Sequence, residues 1–146
     1  MTRQRENRGF TLLEVIITIV VIAIIALIVI PRLLNVSRRA RESALREQLQ
    51  GLRQAIRHFE ADCGAWPPLL ADIMAADGAA ISAGQDGNGI SVDRAGYRGP
   101  YLRTGDGGLP VDPMTRDTNW DYESATGEVH STSGLTAMDG TVYNTW

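Results

Sequence analysis

The sequence predicts an α+β fold: a long N-terminal helix, over about residues 10–62, packed on a small antiparallel β-sheet head. Three observations predict it. An almost unbroken apolar run extends from Phe10 to Ile30, with Glu14 its only charge and Thr11 and Thr18 its only other polar residues. After Pro31, Leu45, Leu49, Leu52, Ile56 and Phe59 recur in steps of four and three, the period of one helix face. Beyond Pro67-Pro68 the pattern changes again, and Asn119-Trp120-Asp121-Tyr122-Glu123 alternates polar and aromatic residues as a half-buried strand does.

The apolar run comes first. Its 21 residues make about 31 Å of helix at the usual rise, a match for the ~30 Å hydrocarbon core of a bilayer. A charge inside such a segment costs at least ~2–3 kcal/mol, so Glu14 needs a compensating partner or a place near the interface to which it can snorkel. Ahead of the run lie Arg3, Arg5 and Arg8 and then Gly9. A basic N-terminus places that end on the cytoplasmic side and the rest of the chain outside. An ordinary secretory signal is a poor account, because such signals are cut beyond their apolar region after small residues. Here the chain continues Pro31-Arg32-Leu33-Leu34.

The stretch Arg8-Gly9-Phe10-Thr11-Leu12-Leu13-Glu14-Val15-Ile16 resembles the class III signal of type IV pilins and type II secretion pseudopilins. The resemblance implies that a prepilin peptidase cuts between Gly9 and Phe10, removing residues 1–9 as a leader, and N-methylates Phe10. Glu14 stands where that family has its glutamate. Cleavage creates a positive amine at Phe10, one helical turn from Glu14 or within reach of Glu14 in a neighbouring subunit. Pairing amine and carboxylate in low dielectric offsets much of the burial cost of both. The resemblance implies that this pair sets the register of a subunit entering a filament. A plain membrane anchor explains the apolar run but leaves Gly9-Phe10 and Glu14 as coincidences.

Residues 31–62 read as the amphipathic half of the same helix, with Arg46, Glu47, Arg53, Arg57 and Glu60 between the apolar positions. This is the stem of the family's lollipop: residues 10–30 meet lipid and other stems, and residues 31–62 hold the sheet. A coiled coil with another subunit is the alternative use of that apolar face. Pro31 removes a helical hydrogen bond and crowds the preceding turn. The predicted weak span, which in relatives can lose helicity on assembly, is Ala23–Pro31. Gly51 costs ~1 kcal/mol relative to alanine.

Gly64, just after Asp62-Cys63, is the candidate C-cap that opens the head, residues 63–146. Leu69–Ala76 is predicted as a short helix, Ile90-Ser91-Val92 as an edge strand, and 119–123 with 128–131 as a hairpin. Trp120, Tyr122 and Val129 of that hairpin face the stem. The steps Trp66-Pro67-Pro68-Leu69, Gly99-Pro100-Tyr101-Leu102 and Pro110-Val111-Asp112-Pro113 are similar to those of the major pseudopilin of type II secretion. The glycines between Gly78 and Gly108 lack the following Lys-Ser/Thr and the strand–loop–helix setting of a phosphate cradle.

Composition narrows the function classes. All 14 basic residues are arginine; ten precede Ala61, and from there on four face twelve acidic residues. An acidic head repels phosphate, which argues against a nucleic-acid partner. Cys63 is the single cysteine, so no intrachain disulfide forms; many pilins have one, and its absence favours the pseudopilin side. Cys63 reads as a small buried apolar residue. His58, His130 and Ser131-Thr132-Ser133 lack the partners of a metal or nucleophile site, so no enzyme is predicted. Trp66, Trp120 and Trp146 read as anchors sealing the head. Major pseudopilins hold Ca²⁺ near the C-terminus, and here Met138-Asp139-Gly140 and Asn144-Thr145-Trp146 resemble the two ends of that loop. The loop between is short and lacks the second aspartate. Calcium at Asp139, with Asp112, Asp117 or Asp121, is therefore the metal candidate, and an acidic solvated turn its rival.

The function expected is a structural subunit of a pseudopilus or type IV pilus-like filament, closest to the major pseudopilin. Its partners are further copies, other pseudopilins or minor pilins, the peptidase, an inner-membrane assembly platform and lipid. A minor pilin with a priming, adhesive or DNA-uptake role is the runner-up. A membrane-anchored binding module belongs to another class.

Overall fold

The computed structural model describes residues 11–146, the side chains of residues 31–34 excepted. Helix α1 (Leu12–Cys63) is followed by a 3-10 helix (Leu70–Met74), strands β1 (Trp120–Glu123) and β2 (Glu128–Ser131), and a second 3-10 helix (Tyr143–Thr145). The fold is α+β, as expected. The chain divides into two units between Arg38 and Arg39, and α1 contributes residues to both.

In the first unit α1 opens at Thr11. The Thr11 hydroxyl accepts the Glu14 N–H at 3.3 Å, covering one of the amides that a helix start leaves without an internal partner. The Thr18 hydroxyl donates to the Val15 carbonyl at 2.8 Å, so its polar group is spent on the helix's own backbone, a tolerable arrangement in hydrocarbon. The large apolar side chains from Leu12 to Ile30 are between 42% and 79% exposed in the single chain. The helix runs unbroken through Ala23–Pro31.

In the second unit the apolar stripe has the role predicted for it. Leu45, Leu49, Leu52, Ile56 and Phe59 are each at most 2% exposed and pack with Leu70, Ile73, Ile81, Val129, Ala137 and Tyr143. The chain's own head therefore covers this face, and the coiled-coil alternative falls away. Gly64 ends the helix with φ +71° and an N–H bonded to the Glu60 carbonyl at 2.8 Å, a conformation that side chains with a Cβ rarely adopt. The Gly99-Pro100-Tyr101-Leu102 step docks back on the helix end. Tyr97 and Tyr101 meet Phe59 edge-on, the Tyr101 hydroxyl donates to Asp62 at 2.7 Å, and the Tyr101 N–H bonds the Ile73 carbonyl at 2.9 Å.

Two elements are shorter than predicted. The helix expected over Leu69–Ala76 is the 3-10 turn Leu70–Met74, because Asp72 diverts the chain. Its carboxylate accepts the Leu69 N–H, the Ser82 N–H and the Ser82 hydroxyl, each at 3.0 Å. The edge strand expected at Ile90-Ser91-Val92 is a single bridge, Gln85 to Ser91. Asp86 accounts for this, since its carboxylate takes the Asn88 and Ile90 amides and folds the segment into a turn.

The hairpin forms with the register Trp120–Ser131, Asp121–His130, Tyr122–Val129 and Glu123–Glu128. Val129 is fully buried, and Trp120 and Tyr122 pack against the same core. Its turn requires Gly127, which has φ +71° and lies so close to the Trp66 ring that a Cβ would overlap it.

Candidate functional site: the apolar helix and the C-terminal loop

Gly9 and Phe10, the predicted processing residues, lie outside the described residues. Glu14 sits in the first turn of α1, exposed, where a carboxylate complements the positive end of the helix dipole. The backbone of Pro31 is part of α1, and its side chain is outside the described set. In chemical terms this segment is a helix of apolar side chains around one carboxylate. Alone, it exposes an apolar surface far larger than a soluble chain leaves uncovered. By length and composition it is a candidate membrane span.

At the other end of the chain, the last ten residues are tied to α1 by side chains spaced along one helix face. Glu42 Oε1 accepts the Met138 N–H at 2.9 Å and the Tyr143 hydroxyl at 2.8 Å. Arg46 donates to Asp139 Oδ2 at 3.1 Å, and its guanidinium carbon lies 4.2 Å from the centre of the Trp146 ring. Arg53 donates to the carbonyls of Val129 and Trp146. His130 Nδ1 donates to the Trp146 carbonyl at 2.7 Å, and Trp146 Nε1 donates to the Thr141 hydroxyl at 2.6 Å. Tyr143, 1% exposed, meets Trp146 edge-on.

Asp139 therefore has both carboxylate oxygens engaged. Oδ1 accepts the Thr141 N–H at 3.0 Å and the Thr141 hydroxyl at 2.6 Å, while Oδ2 faces Arg46. These hydrogen bonds from Thr141, with the Arg46 charge behind them, hold the Asp139 carboxyl below its ordinary value of 3.8. The other metal candidates are spent elsewhere. Asp112, fully buried, accepts the Met114 N–H at 2.6 Å, the Thr115 N–H at 3.4 Å and the Ser131 hydroxyl. Asp117 accepts the Thr115 hydroxyl and the Asn119 N–H, and Asp121 is exposed on β1. Among the described residues no group of three or more His, Cys, Asp or Glu side chains could share a metal ion. Ca²⁺ takes six to eight oxygen ligands. One carboxylate already paired with a guanidinium does not fit that demand.

Comparison with known proteins bears on the N-terminal segment directly. Residues 4–30 match the family described as the prokaryotic N-terminal methylation motif. The chain is 35% identical over 101 residues to the fimbrial protein EcpC of Eikenella corrodens, across 69% of this chain and 64% of that protein. It is 31% identical over 67 residues to the type II secretion system core protein G of Vibrio cholerae, across 46% of each. The chain is similar to type IV pilin-like proteins, and its N-terminal segment carries the methylation motif. It spans less than two thirds of the length of either relative. No solved structure matches it significantly.

Cys63, the two histidines, Ser131 and the tryptophans are taken up by packing. Cys63 is 1% exposed, and burial, reinforced by Asp62 and Asp93, pushes its thiol up to about 11. His58 stacks on Tyr101 with Gln54 near its Nε2, and His130 Nε2 lies 3.8 Å from Glu128. Ser131 donates to Asp112 and accepts from the Ser133 N–H. The tryptophans seal the head: Trp66 under Gly127, Trp120 with its Nε1 on the Pro110 carbonyl at 2.9 Å, and Trp146 under Arg46. Sequence reasoning missed Asp72 and Asp112 as hubs of the head. The only sequence signal was an aspartate preceding a turn, at Asp112 within Pro-Val-Asp-Pro.

Proposed function

We propose that this chain is a structural subunit of a pseudopilus or type IV pilus-like filament, major-pseudopilin-like in type II protein secretion. The observation that carries this reading is the methylation motif over residues 4–30 together with an exposed apolar helix whose only charge is Glu14. In this reading a prepilin peptidase cuts between Gly9 and Phe10 and methylates Phe10. The chain then waits as a single-pass inner-membrane protein, head outward, until it docks on the assembly platform. Packing apolar helices side by side covers the surface that lipid covered before. The new Phe10 amine, on the same or a neighbouring subunit, neutralises Glu14 as it leaves the interface. The function is architectural, and we assign no catalytic role.

The resemblance to a fimbrial protein over 101 residues supports a second reading, a pilus subunit, including a minor pilin. The steps around Tyr101 and Asp112 and the single cysteine favour the pseudopilin.

Intact mass of the chain purified from membranes or sheared fibres tests the proposal. A chain beginning at Phe10 and carrying one extra methyl group is expected. A chain that keeps residues 1–9 in a host with a prepilin peptidase would make it a membrane-anchored module instead. Glu14→Leu is expected to leave insertion intact and to abolish fibres; normal fibres from that variant would remove the register argument. Fibre and secretion assays in a strain lacking this chain separate pseudopilus from pilus.

A further inference from the structure

The resemblance that places calcium beside Asp139 and the geometry around Asp139 disagree, and the disagreement is informative. The calcium loop is recognised by its two ends, here Met138-Asp139-Gly140 and Asn144-Thr145-Trp146, with ligands supplied between them. Both ends are present, and one residue of the helix touches both: Arg46 donates to Asp139 and lies over Trp146. We propose that the Arg46 guanidinium is the built-in cation of the C-terminal loop, standing in this chain where the resemblance would put calcium.

Three features support the assignment. Arginine is charged at every working pH, and its planar fork both donates to a carboxylate and stacks on an aromatic face, which a lysine ammonium does not reproduce. The loop is also closed by bonds no metal has to supply, since Thr141 satisfies Asp139 Oδ1 and receives the Trp146 indole N–H. Finally, Glu42 and Arg53 flank Arg46 along the helix and hold Met138 and the Trp146 carbonyl, so the loop is fixed on both sides of the cation. A pair whose side chains are about half exposed contributes little as an isolated surface ion pair. Here it acts jointly with the stack on Trp146 and the hydroxyl of Thr141.

This inference stands whether or not the chain assembles into filaments, and it is tested on the full-length chain in detergent. The readout is thermal melting followed by near-ultraviolet circular dichroism, with calcium chloride or with the chelator EGTA. The wild-type midpoint is expected to be the same in both. Arg46→Ala is expected to lower it by roughly 4–8 °C, equally with calcium and with chelator. A wild-type midpoint that falls with EGTA overturns the proposal, as does an Arg46→Ala midpoint equal to wild type. Should Arg46→Ala not fold, Arg46→Lys decides: a lowered midpoint supports the guanidinium as the specific cation, and a wild-type midpoint overturns it.

Discussion

Replacing Asp112 by alanine probes a fully buried polar hub of the head. Asp112 is 0% exposed. Its carboxylate holds the Met114 and Thr115 amides of its own turn and the Ser131 hydroxyl at the end of β2. Alanine leaves the stronger of the two amide bonds and the hydroxyl without an acceptor in a site that water does not reach. Each orphaned donor costs about 1–3 kcal/mol, so the loss is roughly 3–5 kcal/mol after partial relaxation. For a domain whose total stability is of order 5–15 kcal/mol that is a large fraction, and it lowers the melting midpoint by roughly 10–20 °C. Asp112→Asn keeps one acceptor oxygen for the turn amides, and its NH₂ can donate to the Ser131 oxygen, so it is expected to lose less than half as much. Asp117→Ala serves as the control, because Asp117 is nearer solvent and its partners can be hydrated. The assay is melting of the full chain in detergent with calcium absent. If Asp112→Ala melts within about 2 °C of wild type, or if Asn is as damaging as Ala, the hub account is wrong.

Three further predictions follow from single residues. Cys63, with a thiol near pKa 11 and almost no exposed surface, has roughly a thousandth of its population as thiolate at pH 8; alkylation in native buffer is expected to be slow and to become complete only on unfolding. Gly127→Val both forces a β-branched residue to positive φ and drives a side chain into Trp66, so a loss above about 2 kcal/mol is expected in a denaturant titration. Asp139 has a lowered folded pKa, so its contribution is complete above the ordinary 3.8 of the unfolded chain and is lost as pH falls through the folded value. Asp139→Asn should accordingly show a shallower decline of melting midpoint below that pH than wild type.

Local pattern was enough for the long helix and the hairpin. The apolar run to Ile30 and the stripe Leu45–Phe59 dictate α1, because a helix of either kind shows its period within a few turns of sequence. Gly64 and Gly127 mark their turns by conformations that only glycine adopts readily. Alternation around Trp120 and Val129 dictates the hairpin and its inward face. The methylation motif and Glu14 are likewise legible, since they lie within one short stretch of sequence.

What the sequence could not decide are the partners of polar groups far apart along the chain. Arg46 and Asp139, or Glu42 and Met138, are separated by more than ninety residues, and no periodicity links them. Asp139 looked the same as a calcium ligand or as a solvated turn until the fold placed a guanidinium against it. Asp112 reads as a calcium candidate or part of an acidic surface, and Asp72 and Asp86 carry no sequence signal; each is buried by the loops whose amides it gathers. Those loops are short of regular structure, so side-chain carboxylates supply the acceptors that a helix or sheet would have supplied. The sequence by itself determined the helix, the hairpin and the methylation motif, because each is a local pattern. Only the tertiary structure decided which charges meet, because that depends on where a loop without a period comes to rest on the helix.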